Sequence, residues 1–180
     1  MKEKKVFFFD RDGVLIKNYG YLINYNKIKW LNGAINAIRF LNKKKIKVII
    51  ITNQSGVARG YFSIKQLREF HDNFIYKLNE RKAYVNKIYF CPFYKKGKIL
   101  KYKKDSFDRK PKPGMILKAL KEFKIKKDSA FMIGDSKTDY LASKRAGIRF
   151  EFKKKVPWIN RLRVLLKNFN NKKFLSLSYQ

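Results

Sequence analysis

The chain has 180 residues, 45% of them hydrophobic and 16% aromatic, enough for one domain with its own core and too apolar for a disordered tail. It carries 45 Lys and Arg against 13 Asp and Glu, a formal net charge of +32. That excludes an acidic binding module and turns attention to anionic partners: phosphates, nucleic acid or a membrane surface.

The first residues, MKEKKVFFF, are basic and then apolar, as a secretory leader begins, but the apolar run stops at Asp10. Four residues are too few for a leader core and suit a buried strand over Val6–Phe9. Gly33–Leu41 places Ile35, Ile38 and Leu41 on one helical face, and Lys43–Lys45 closes that helix. KVIIIT at Lys47–Thr52 is a strand buried on both faces. Ser63 opens a long helix with Gln66 as its capping-box partner, and Ile64, Leu67, Phe70, Phe74 and Leu78 run down its inner face. The sole histidine, His71, is expected on or near the polar side of that helix, in a packing or surface role. Ile88–Cys91 reads as the next strand. Cys91 is the one cysteine, which excludes a disulfide framework and suits a reducing cytoplasm.

Lys95–Lys104 is an extended lysine-rich loop. Pro113–Phe123 is a helix, Ala130–Ile133 a strand, Thr138–Ala146 a helix ended by Gly147, and Arg149–Phe152 a last strand. Pro157–Asn168 sets Trp158, Leu162, Leu165 and Leu166 near one face, apart from Arg161, Arg163 and Lys167. Such a helix packs on its own domain more often than it lies on an anionic membrane. No apolar run approaches the ~18 residues of a membrane span. Strands alternating with helices imply an α/β fold with a mainly parallel sheet and right-handed crossovers.

Ligands of such sheets bind beyond the carboxyl ends of the strands. That rule gathers Asp10 and Asp12, Thr52 to Ser55, and Gly134 with Asp135 at one crevice. Three acids of an acid-poor chain falling there point to a hard, oxygen-ligated ion such as Mg²⁺, completed by substrate phosphate oxygens. Asp10 and Asp12 would otherwise repel each other. Thr52 and Asn53 offer a hydroxyl, an amide and backbone N–H groups to a phosphate. Lys110, between Arg109 and two nearby prolines, could neutralise charge on a transferring phosphoryl group.

FFFDRDGVL, IITNQSG, RKPKPG and MIGDSKTD, in this order, resemble the four motifs of the haloacid dehalogenase superfamily of phosphatases over roughly residues 6–150. DRDGVLIKNYGY, TNQSGVARGYF, YFCP and RKPKPGM look like its heptose 1,7-bisphosphate phosphatase branch, which histidinol phosphatases share. The resemblance implies a single three-layer Rossmann-like domain over 1–180 with a minimal cap, 151–180 being a basic C-terminal segment. It implies that Asp10 is the nucleophile and Asp12 the general acid and base, with Thr52 and Lys110 stabilising the phosphoryl group. It assigns Mg²⁺ to Asp10, Asp135 and the backbone carbonyl of Asp12. Asn18, Tyr19, Gly20, Tyr21, Asn53, Gln54, Ser55 and Arg109 correspond to the segments that contact the sugar and its second phosphate.

Two departures stand out. Members of the branch often hold a loop with zinc on CxH and CxC pairs; here Cys91, Phe93, Ser106 and Asp108 occupy those places. One soft ligand does not hold zinc, so the loop is expected to be metal-free and freer to move. Ser136 stands where a lysine commonly follows the last-motif aspartate, with Lys137 one place late. Asp139 either supports the cation or caps the following helix.

The implied partner is a small phosphorylated sugar, acted on by a cytoplasmic monomer in the synthesis of nucleotide-activated heptose for bacterial surface polysaccharide. Histidinol phosphate is the near alternative. A polynucleotide 3′-phosphatase is a further one that the charge favours, although nucleic acid is not expected as a specific partner. A non-enzymatic scaffold would have damaged motifs, and Asp10, Asp12, Thr52, Lys110 and Asp135 are all present.

Overall fold

Runs that are apolar at every position read as strands covered on both sides, and three of them, in Val6–Phe9, Lys47–Asn53 and Ala130–Gly134, build the centre of the sheet. A computed structural model describes residues 4–153 and 158–168. Its strands are β1 (Val6–Phe9), β2 (Lys47–Asn53), β3 (Lys87–Cys91), β4 (Ala130–Gly134) and β5 (Arg149–Phe152). They form one sheet in the order β3-β2-β1-β4-β5, parallel throughout.

Alternation along the strands feeds two cores. Phe7, Phe9, Val48, Ile50, Phe131 and Ile133 face one layer. There they meet α1 (Ala34–Lys43), α3 (Ile64–Asn79) and α6 (Trp158–Asn168). Val6, Phe8, Ile49, Ile51, Ala130 and Met132 face the other, covered by α4 (Gly114–Phe123) and α5 (Lys137–Ala146). This is the expected three-layer α/β architecture.

The ends of the helices follow local chemistry. Ser63 accepts from the Gln66 N–H while the Gln66 side chain accepts from the Ser63 N–H, a complete capping box. Gly147 ends α5 with φ +72°. Trp158, Leu162 and Leu165 are buried against the sheet and α1, so the apolar face of α6 packs on its own fold. The rest of the C-terminal segment, 169–180, lies outside the described residues. No described helix is long and apolar enough to cross a membrane.

Because β1 turns to β2 on one side and lies beside β4 on the other, the chain reverses direction across the sheet at β1. Such a switch opens a crevice at the carboxyl ends of the strands. Three segments surround it: 13–33 after β1, the short α2 (Gly56–Arg59) after β2, and 92–109 after β3. The lysine-rich stretch is not simply extended. Leu100–Tyr102 forms a 3₁₀ turn, and the N–H groups of Lys98 and Ile99 both donate to the Ala58 carbonyl of α2.

Candidate active site

β1, β2 and β4 each end by delivering part of the site. Asp10 follows β1 directly, and its Oδ1 accepts from the Arg11 N–H at 2.7 Å. Lys110, 3% exposed, arrives from the RKPKPG segment. Its ammonium lies 3.0 Å from Asp10 Oδ1, donates to the Ile51 carbonyl at 3.0 Å and donates to Asp139 Oδ1 at 2.5 Å. Asn53 clamps the lysine's backbone: its Nδ2 donates to the Lys110 carbonyl and its Oδ1 accepts from the Lys110 N–H. The Asn53 amide, expected among the sugar contacts, thus holds a neighbouring site residue in place.

Asp12 is held from two sides. Arg11 Nε donates to its Oδ1 at 3.2 Å and Arg11 Nη2 to its Oδ2 at 2.8 Å, a two-pronged fork. Gln54 Nε2 donates to the same Oδ2 and to Thr52 Oγ1, each at 2.9 Å. Thr52 and Gln54 are both buried. Ser55 begins α2 at the mouth of the crevice.

Asp135 follows β4. It leans over the turn at Gly13, where φ is +78° and a Cβ would stand 1.7 Å from Asp135 Oδ2. Only glycine admits this approach, which sets the carboxylate beside the peptide that follows Asp12. Asp139, 0% exposed, is shared between two tasks. Its Oδ2 accepts from the Ser136 N–H and hydroxyl at the start of α5, and its Oδ1 accepts from Lys110. It is therefore the capping-box partner of Ser136 at the start of α5 and the counter-ion of the lysine. Ser136 is consumed by the same cap.

The donor set fits a hard divalent cation. Four carboxylates, of Asp10, Asp12, Asp135 and Asp139, face two buried cations, Arg11 and Lys110, leaving a surplus of two negative charges. The strain shows in the acids. Burial, with Asp139 and Asp12 adding to it against Lys110, pushes the Asp10 carboxyl up to about 7. Burial and Asp139 also raise Asp135. Carboxylate oxygens of Asp10, Asp135 and Asp139 lie within 4.8 Å of one another. With Asp139 already bonded to Lys110 and Ser136, Asp10 and Asp135 are the carboxylates with room for an ion, and the Asp12 carbonyl is a third hard oxygen.

The outer wall is aromatic and cationic. Tyr21, from the tip of 13–33, meets Tyr61 edge-on at 4.5 Å. Asn18 Oδ1 accepts from the Gly20 N–H and shapes that tip, where Tyr19 and Tyr21 are exposed. The Arg59 guanidinium stacks 4.3 Å from the Tyr94 ring centre and 5.9 Å from that of Tyr21. Arg109 stacks on the same Tyr94 at 4.9 Å and donates to the Phe93 carbonyl. Burial, and to a lesser degree the Arg59 charge, lowers the Arg109 pKa. Arg59 Nε is buried with no hydrogen-bond partner. Two guanidinium groups stacked on one ring are suited to an anion.

At the four expected zinc positions the contacts differ from a metal centre. The buried Cys91 thiol rests 3.9 Å from the Phe93 carbonyl, and burial raises its pKa. The Phe93 ring lies beneath Lys104. Ser106 Oγ accepts from the Asp108 N–H, while the Asp108 carboxylate pairs with Lys118 at 2.5 Å.

One expectation is corrected. His71 is not on the polar side of α3. It is 5% exposed, and its Nε2 lies 3.0 Å from Arg11 Nη1. Leu67, His71, Phe74 and Leu78 share one helical stripe, and the buried guanidinium supplies the polar contact that a buried imidazole needs. Arg11, Arg59 and Tyr94 were likewise absent from the sequence-based set. The stripe spacing could have flagged His71, whereas nothing local marks Arg59 or Tyr94.

Comparison with known proteins agrees with this geometry. Residues 7–73 and 79–152 each match a model described as haloacid dehalogenase-like hydrolase. A D-glycero-beta-D-manno-heptose-1,7-bisphosphate 7-phosphatase of Pasteurella multocida is 40% identical over 81% of this chain and 79% of its own length. One from Rhodopseudomonas palustris is 42% identical over 80% and 82%. Among solved structures, the D,D-heptose 1,7-bisphosphate phosphatase of B. bronchiseptica, complexed with magnesium and phosphate, superposes with a TM-score of 0.75. It is 27% identical and covers 89% of this chain and 86% of its own. The chain thus belongs to the haloacid dehalogenase-like hydrolases, in the family of the D-glycero-D-manno-heptose-1,7-bisphosphate 7-phosphatases.

Proposed function

We propose that this chain hydrolyses the 7-phosphate of D-glycero-D-manno-heptose 1,7-bisphosphate through an aspartyl phosphate on Asp10, with Mg²⁺ as cofactor. The observation that carries the reading is Lys110 Nζ at 3.0 Å from Asp10 Oδ1.

Asp10 attacks phosphorus as the bond to the sugar oxygen breaks, and Asp12 gives its proton to that departing oxygen. Asp12 then takes a proton from the water that attacks the same phosphorus. The acyl phosphate breaks, and inorganic phosphate leaves. Lys110 balances charge on the phosphoryl oxygens, and Thr52, its hydroxyl ordered by Gln54, donates to them. Asp10, Asp135 and the Asp12 carbonyl would hold Mg²⁺, which supplies charge neutralisation to the phosphoryl group when bound. Arg59 and Arg109 grip the phosphate that stays on the sugar. Tyr19, Gly20 and Tyr21, the last beside Arg59, border the sugar. The loop over 92–109 works without zinc, held by ring stacking and ion pairs.

The test is phosphate release, with Mg²⁺, from both anomers of the heptose bisphosphate, from histidinol phosphate and from a 3′-phosphorylated oligonucleotide. The reading expects kcat/KM for one bisphosphate anomer to exceed the others. A large preference for the oligonucleotide or for histidinol phosphate would overturn it.

A further inference from the structure

Arg11 is a long side chain that sits entirely inside the protein, 0% exposed, next to the acid it serves. Its guanidinium forks onto the carboxylate of the next residue, Asp12. What holds it there comes from α3. Phe70 lies flat beneath the guanidinium carbon at 4.8 Å, and His71 Nε2 lies 3.0 Å from Nη1. Phe90 of β3 backs the imidazole at 5.1 Å.

A guanidinium only donates hydrogen bonds. His71 Nε2 must therefore accept, which places the ring proton on Nδ1 and leaves the imidazole neutral. Burial and the Arg11 charge disfavour its protonation in the same direction. Nη1 is spent on His71, so Nε and Nη2 together address the two oxygens of Asp12. The guanidinium is fixed at three corners, and the carboxyl group inherits its plane and direction from it. Gln54 adds a third hydrogen bond to the carboxylate, at Oδ2.

A buried charge pair contributes little net stability once desolvation is counted, so stability alone does not account for this arrangement. It lies against the one carboxyl group that must pass a proton to a departing alkoxide. We propose that His71 is a positioning residue: through Arg11 it holds the Asp12 carboxyl group in the direction required for proton transfer to the leaving group. This rests on the phosphatase reading above.

The strut is tested by the leaving group. An alkyl sugar oxygen must be protonated as it departs, whereas a nitrophenolate departs without a proton. In Mg²⁺ buffer, kcat/KM, which covers steps up to loss of the alcohol, is measured for heptose bisphosphate and for p-nitrophenyl phosphate. His71→Phe keeps a ring between Phe70 and Phe90 and removes the acceptor. It should lower kcat/KM for the bisphosphate by about 10- to 100-fold and that for the aryl ester by less than about threefold. His71→Gln, which restores an acceptor, should recover most of the loss.

Arg11→Lys keeps the buried charge without the fork and reads the same split, even if His71→Phe does not fold. An equal fall on both substrates, no fall on either, or a glutamine variant no better than phenylalanine overturns the proposal. A wild-type protein inert toward both esters overturns the phosphatase reading itself, and the proposal with it.

Discussion

Replacing Asp139 separates the two tasks that its carboxylate performs. It is fully buried, its Oδ1 is bonded to the Lys110 ammonium at 2.5 Å, and its Oδ2 accepts both Ser136 donors. Removing one member of a buried ion pair costs about 3–5 kcal/mol, because the other charge is left without compensation. Asp10 still lies 3.0 Å from Lys110, so the lower end, about 3 kcal/mol, applies to the charge. Loss of the capping-box partner of Ser136 adds about 1 kcal/mol. Asp139→Ala should therefore cost about 4 kcal/mol, a fall in Tm on the order of 10 °C for a chain of this size. Asp139→Asn keeps an oxygen for Ser136 and should cost about 3 kcal/mol. Guanidinium unfolding of the three proteins, with thermal melts beside it, measures both differences. An alanine variant less than about 1 kcal/mol below wild type would show that Lys110 does not depend on this partner and would refute the argument.

Three further outcomes follow from the site. Asp10→Asn cannot form an acyl phosphate and should lower kcat by about 10⁴-fold or more; steady-state phosphate release in Mg²⁺ checks it, and hydrolysis near the wild-type rate would refute the role. On the proposed function, Arg59→Ala removes one of two guanidinium groups from the second phosphate, worth about 1.5–3 kcal/mol as a charge-assisted contact. KM for the bisphosphate should rise about 10- to 100-fold, while a sugar monophosphate is turned over as before. His71 sets a pH dependence of stability. Burial, with the Arg11 charge adding to it, lowers its pKa from 6.5 to about 3, so the folded ring stays neutral where the unfolded one binds a proton. Stability present above 6.5 is therefore lost as pH falls, by about 2 kcal/mol between pH 7 and pH 5. Denaturant midpoints across that range should show a shallower acid slope in His71→Gln than in wild type.

The parts of the fold that were legible were those whose chemistry is local. A strand covered on both sides shows itself as a continuous apolar run, and FFF followed by Asp10 marks both β1 and the point where it meets solvent. The capping box at Ser63 and Gln66 is written within four residues, and it sits where expected. The motif acids were legible because the topology sends every strand end to one edge. What escaped was long-range. His71 and Arg11 lie 60 positions apart, so the partner that draws the histidine inside cannot be seen from α3. Arg59 comes from a helix of four residues, too short to show a period, and its ring, Tyr94, belongs to another loop. The strand end marks Asn53 as a phosphate ligand and the motif resemblance marks it as a sugar contact; only the return of RKPKPG beside it gives its amide another partner.

The net charge of +32 resolves into two opposite fields. Four of the thirteen acids lie at the bottom of the crevice, where Arg11 and Lys110 leave two negative charges to be met. Several of the others are spent on single surface pairs, such as Glu122 with Lys87 and Asp105 with Lys112, each of small energetic weight. Above the acids the sign reverses. Arg59 and Arg109 stack on Tyr94, and 95–104 adds six exposed lysines, tied through the Ala58 carbonyl to the helix that carries Arg59. Carboxylates at the floor and cations at the rim suit the two ligands of the proposed chemistry, a divalent cation for the former and a bisphosphate for the latter. Neither task needs lysines on the far faces of α1 or α4. The functional part of the charge is its gradient across the crevice, and the total reflects the scarcity of acids elsewhere on the surface.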